Sequence, residues 1–454
     1  MNALTQPITI VSARKNSMRN LSTWLAYFGL FKVMASEAFL YLIGWQAWTV
    51  LSAIYFFGSI WFLVRDRRRD VLRQMPWALR GMLLLMLLSL GWTNYPMYTG
   101  MGILGQLTNT TFALFLVAFF TWRELLKIMA GVLRWVLWLS LGFELVAAAV
   151  VQGPVQRIFG RHYPGSFPTN RADYWVQGEF LHGGRFQGIL GNANLIADVA
   201  LLALVIFVIE LVLRQVRIWL SVASLVSALV VFVMSQSGGA AFAVLAIALT
   251  AIVVFAAEGH DRDTRHRYYR NALAAVGIAS LVVLLFRREV FGFIGKSPDM
   301  TGRSKIWKAV QALIDQRPLQ GWGWISSWMP DAKPFTNLIV LKGVHYYSAH
   351  NSFLEFWLQI GIVGFGLSIA LVIMTFVRLW RIGVRHTNRL YLWPVLVFVG
   401  LIVHNVIESR LLIENGWVLF VLFVVKANDP LDSLEPMGVP SKRVQRRQQG
   451  KFRV

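Results

Sequence analysis

Long apolar runs separated by short polar breaks dominate this chain. A helix needs about 20 apolar residues to cross a bilayer, and in hydrocarbon only helices or closed barrels pair all their backbone groups. Continuous runs without alternation therefore predict helices, about twelve of them by that length criterion. They cover roughly 21–43, 46–64, 78–95, 101–122, 129–151, 192–213, 217–235, 239–257, 271–287, 352–377, 391–407 and 411–427. Lys32 and Glu37 interrupt the first run, which predicts a broken, tilted or partly interfacial helix there. The expected fold class is all-α: a polytopic membrane domain over 21–427, with tails at 1–20 and 428–454.

The polar breaks alternate in character. Lys and Arg crowd "RDRRRDVLR" at 65–73, "RELLK" at 123–127, "RQVR" at 214–217, "DRDTRHRYYR" at 261–270, "RLWRIGVRHTNR" at 378–389 and the tail at 441–453. By the positive-inside rule these share the cytoplasmic side, and so do both termini. Two long segments, about 152–190 and 288–350, then face outward. Long connections of this kind usually carry function. Composition agrees with the pattern: 56% of the 454 residues are hydrophobic, 19 are Trp, and mean hydropathy is +0.55. The net charge of +22 is dispersed among loops, so it points to membrane topology and an anionic external partner or headgroups, and to no nucleic-acid groove. With no cysteine, the chain has no disulfide, thiolate metal site or cysteine nucleophile.

Candidate chemistry lies in the outer segments. In "TGRSKIWKAVQALIDQ" Thr301 is placed to cap a helix with Ile306, Val310 and Leu313 on one face and Arg303 in its first turn. A helix N-terminus beside a guanidinium suits a phosphate or diphosphate, although an interfacial amphipathic helix explains the same pattern. "GWGW" at 321–324 reads as a Gly-permitted turn, structural or sugar-stacking. His350 precedes the apolar run at 352–377 and is a candidate base, with Asn351 and Glu355 placed to orient it and His345 as a competitor. "GGRFQGILGNAN" at 183–194 supplies Arg185 as a second anion ligand, with Asn192 and Asn194 as amide contacts or helix caps.

Taken in order, "GRFQGILGNAN", "SQSGGAAFA" at 235–243, "TGRSKIW", "PLQGWGW" and "SAHNSFLE" at 348–355 resemble the O-antigen ligase and polymerase superfamily over roughly 184–364. The resemblance implies a fold grouped with the C-type glycosyltransferases and a bacterial cytoplasmic membrane protein acting at its outer face. It also implies transfer of a glycan from a polyprenyl (undecaprenyl) diphosphate carrier to a hydroxyl acceptor, the lipid A core or another envelope glycan or glycolipid. His350 matches the family's histidine in H-N-x-x-L-E, and Arg303 its G-R arginine, taken to hold the carrier diphosphate. A second arginine expected in S-x-S-R is replaced by Gly238, and Arg185 is the substitute candidate. No cofactor is expected, nor a metal if arginines stabilise the leaving diphosphate; the D-x-D at 261–263 falls on the cytoplasmic side.

A repeat-unit polymerase differs only in acceptor. A lipid-linked glycan transporter or flippase is the rival of another class, disfavoured because no paired repeat is visible and, apart from Lys32 and Glu37, charges avoid helix centres.

Overall fold

The computed structural model describes residues 6–159, 174–285, 302–341, 344–386 and 388–428. It is helical almost throughout. The helices are α1 (Gln6–Met34), α2 (Ser36–Arg65), α3 (Asp70–Gln74), α4 (Trp77–Leu88), α5 (Pro96–Phe119), α6 (Trp122–Val146) and α7 (Ala193–Leu213). There follow α8 (Ile218–Ser235), α9 (Gly238–Ala257), α10 (Arg262–Leu285), α11 (Arg303–Gln316), α12 (Ser352–Arg385), α13 (Leu392–Asn405) and α14 (Glu414–Lys426). Two small antiparallel ribbons, β1 (Val155–Gln156) with β2 (Tyr174–Val176) and β3 (Val340–Leu341) with β4 (Val344–His345), lie in the two long connections.

Each apolar run falls on a helix. Among the described residues seven helices are long and apolar enough to cross a membrane. Hydrocarbon-like surface is what α2, α8 and α9 present outward: Phe57 and Trp61, Leu229 and Val233, and Leu245 and Ile252 are all exposed. Patches of this extent are unstable against water and comfortable against lipid. The inner helices are sealed by protein instead. All but the first residue of α14 are buried, and α7 and α13 pack against each other beside it.

The predicted break near Lys32 and Glu37 lies between α1 and α2 at Ala35, and a second kink follows at Gly44 (φ 75°). Helix α1 also begins at Gln6, inside the segment read as a tail. The break is lined by charge: Arg410 pairs with Glu37 at 3.1 Å and Glu414 at 3.0 Å, and Lys32 Nζ sits 3.4 Å from the Trp48 ring centre. Charges do not avoid the other helices as expected. Arg134, midway along α6, pairs with Glu210 of α7 at 2.5 Å, and Asp198 of α7 holds His404 at 3.0 Å. Partnering explains them: a charge inside a helix bundle is tolerated where a neighbouring helix supplies its counter-ion, since breaking such a pair leaves an uncompensated buried charge.

The basic breaks gather at one end of the bundle. There Arg19 donates to the Phe119 carbonyl at 2.8 Å and pairs with Glu124, Asn428 donates to the Gln74 carbonyl at 3.1 Å, and Arg389 pairs with Glu258 at 2.7 Å. Thr121 and Glu124 close a reciprocal capping box that starts α6 at this end.

At the opposite end α12 is not one helix. It breaks at Ile360 and Gly361 (φ 70°), which frees backbone groups that hydrocarbon cannot satisfy. The "GWGW" loop satisfies them. Trp322 N donates to Leu358 O at 2.9 Å, Gly323 N to Gln359 O at 2.8 Å, and Ile362 N to Pro318 O at 2.9 Å. A Cβ on Gly361 would stand 1.9 Å from Leu319 O, so only glycine permits this approach. Trp324 is fully buried and Trp322 nearly so, which settles this motif as structural and removes the sugar-stacking reading.

Candidate functional site

Four separate parts of the chain converge where α12 begins. Helix α11 starts at Arg303 with Gly302 (φ 90°) at its N-cap and no side-chain cap; Thr301 lies outside the described residues. Its apolar face, Ile306, Val310, Leu313 and Ile314, packs on Trp322, Trp328 and Phe335. The interfacial reading of this helix is therefore overturned, because the face that would enter headgroups is covered by the protein's own loop. That packing fixes the first turn, and Arg303 projects from it to donate Nε–H to Ile407 O at 3.1 Å and an Nη2–H to Glu408 Oε1 at 2.7 Å.

The same carboxylate holds the histidine. Glu408 Oε2 lies 2.9 Å from His350 Nδ1. Burial raises the Glu408 pKa, but the hydrogen bond and charge of His350, with the charges of His404 and Arg303, outweigh it and hold the carboxyl at about 2. An ionised carboxylate only accepts, so Nδ1 carries the hydrogen and the other ring nitrogen, Nε2, is left as the acceptor. His350 has a left-handed backbone (φ 48°), which turns it out of line with the helix that follows.

Arg185 reaches the same carboxylate through an amide. Its Nη2 donates to Asn194 Oδ1 at 2.8 Å, and Asn194 Nδ2 donates to Glu408 Oε1 at 3.1 Å. Arg185 Nε also donates at 2.9 Å to the carbonyl of Ser235. This is the turn between α8 and α9, where Ser237 caps α9 and Gly238 occupies the arginine position of the S-x-S-R pattern. An exposed guanidinium thus stands beside the place where the pattern would put one.

The remaining expected residues have supporting places. Asn192 caps α7 by accepting from Asn194 N at 2.9 Å. Asn351 caps α12 through Phe353 N and Leu354 N, and does not orient the His350 ring. Glu355 does not orient it either: fully inside the protein, it accepts from Ala349 N, Trp328 Nε1 at 3.0 Å and Gln359 Nε2 at 2.8 Å. It anchors the backbone one residue before His350. His345 is exposed on β4, its ring stacked near Tyr347, and His404 is bound to Asp198 rather than to its neighbour Asn405.

Glu408 is the residue that the sequence reading omitted. It lies in "NVIESRLL" between α13 and α14, 58 positions beyond His350, where nothing local marks it. The one available signal was a carboxylate in the short turn between two otherwise apolar runs.

Among the described residues two guanidiniums face one carboxylate here, which leaves positive charge for an anion, while a histidine whose Nδ1 is held by that carboxylate stands within its reach. Such a site can bind a diphosphate and accept a proton from a hydroxyl beside it. Compared with known proteins, the chain finds no match among curated sequences. Residues 202–369, from within α7 to the middle of α12 and including Arg303 and His350, match the family described as O-antigen ligase.

Proposed function

We propose that the chain transfers a glycan from a polyprenyl-diphosphate carrier to a hydroxyl acceptor at the outer face of the bacterial cytoplasmic membrane, in the manner of an O-antigen ligase. The observation that supports this most is the single hydrogen-bonded cluster joining Arg185, Asn194, Glu408, Arg303 and His350. A polyprenyl tail keeps its diphosphate at headgroup level, so a base and anion ligands at a helix mouth meet the sugar–diphosphate bond where the bilayer presents it.

In this reading His350 Nε2 takes the acceptor's hydroxyl proton as the oxygen attacks the anomeric carbon. Glu408 holds the ring and stabilises the imidazolium that forms. The bond from the anomeric carbon to the diphosphate oxygen breaks, and the diphosphate leaves with its charge held by Arg303 and Arg185. Donors fixed in advance stabilise that developing charge more than they stabilise the intact donor, which is what lowers the barrier.

The test is the surface and carrier-linked glycan of a strain lacking this chain. A ligase predicts long glycan accumulating on the carrier and none on the acceptor; carrier loaded with single repeat units assigns the polymerase role instead. Unaltered glycans in both pools contradict the proposal.

A further inference from the structure

At the basic end of the bundle, far from His350, a cleft of about 510 Å³ opens between α3, the start of α4, α12 and the end of α14. Its walls are Arg73, Gln74, Met75, Pro76, Arg378 and Asn428, with one carboxylate, Asp70. We propose that this cleft binds the phosphate of a phospholipid headgroup.

Two polar atoms of its lining residues are buried without a hydrogen-bond partner among the described residues: Arg378 Nη1, a donor that suits a phosphate oxygen, and Gln74 Oε1, an acceptor that suits a headgroup hydroxyl. A buried guanidinium N–H left unpaired is costly, and a ligand oxygen is the natural remedy. Arg73 supplies a second guanidinium; among the described residues its ion pair is a loose one, 3.7 Å to Asp70, with both side chains almost fully solvated. Arginine forks match phosphate oxygens in pairs.

The cleft is also built rather than incidental. Arg80 donates to the carbonyls of Leu72 and Arg73 at 2.8 and 3.2 Å, and Asn428 donates to the Gln74 carbonyl at 3.1 Å, so the α3 turn is tied on both sides. Its rim favours a lipid over a soluble phosphate. Leu72, Trp77, Phe376 and Val377, next or nearly next in sequence to its lining residues, are exposed, which supplies apolar surface for acyl chains on the same elements as the charge. Basic pockets between membrane helices are where anionic headgroups bind.

Full-length protein in nanodiscs of phosphatidylcholine with a minor share of phosphatidylglycerol, released for native mass spectrometry, is expected to retain phosphatidylglycerol. Arg378→Gln and Arg73→Gln should each lower that retention about fivefold, the loss for one arginine at a membrane surface. Arg73 is solvated, so its variant carries little folding risk. Arg123→Gln, an exposed arginine at the same end outside the cleft, should leave retention unchanged. Equal loss in Arg123→Gln would show diffuse attraction and overturn the site. Binding of inorganic phosphate in pure phosphatidylcholine, removed by Arg378→Gln and competing with phosphatidylglycerol, would overturn the lipid assignment. So would retention seen only after deletion of residues 429–454, since a carboxylate of that tail, Asp429, Asp432 or Glu435, would then be the occupant.

Discussion

His350 and Arg303 were legible because each sits in a short local pattern. Their partner was not. Glu408 comes from another turn of the chain, and its role is visible only once α13 and α14 bring it within 2.9 Å of His350 and 2.7 Å of Arg303. Glu355 misled for a geometric reason: helical spacing puts it one turn from the start of α12, but His350 precedes the cap in a left-handed conformation, outside that periodicity. Glu408→Gln keeps an acceptor for Nδ1 and removes the charge that supports an imidazolium. Glycan transfer should fall by about 10²–10⁴-fold, the span of positioned acid–base catalysis. The same residue gives a pH signature. Its folded pKa of about 2 lies below the ordinary glutamate value of 4.5, so its stabilising contribution is complete above that value and is lost as pH falls toward the folded one. Thermal unfolding in detergent should therefore show wild type more stable than Glu408→Gln near neutral pH, with the difference shrinking as pH falls below about 4.5. A difference that grows on acidification would contradict an ionised Glu408.

The helices themselves were readable, since a continuous apolar run has few other options in a bilayer. The break inside α12 was not, because Gly361 sits in an apolar run like any tolerated membrane glycine and its need arises from the approach of residues 318–323. Gly361→Ala combines φ 70° with backbone 1.9 Å from the new methyl and should cost at least about 1–3 kcal/mol, read as a lower melting temperature. Gly366→Ala, with open space around it, should be close to neutral. The amphipathic pattern of α11 was also readable, but not what covers it, since loop aromatics and headgroups accept the same apolar face. At the α1–α2 break the charges make a sharper case. Arg410→Ala leaves Glu37 and Glu414 facing each other in a buried site, a loss of about 3–5 kcal/mol. Replacing all three, as Arg410→Met with Glu37→Gln and Glu414→Gln, should recover much of it. An Arg410→Ala variant as stable as wild type would mean that this cluster is solvated rather than interlocked.

At the scale of the whole molecule, alternation of basic breaks sorted the chain into two ends, and the contacts of Arg19, Asn428 and Arg389 do bring those breaks together opposite His350. Sidedness is tested with single cysteines in this cysteine-free chain. Asp331→Cys should react with an impermeant maleimide in intact cells, and Arg267→Cys only after permeabilisation; the reverse pattern would invert the site and the proposed function with it. The site draws on more of the chain than the match covers, since Arg185, Asn194 and Glu408 all lie outside the matched segment 202–369. The most direct measurement of the central claim is glycan transfer by purified His350→Ala with a polyprenyl-diphosphate donor and its hydroxyl acceptor. Transfer should be undetectable while donor binding and melting temperature stay near wild type, and His345→Ala should transfer normally. Transfer that persists in His350→Ala would contradict histidine as the base.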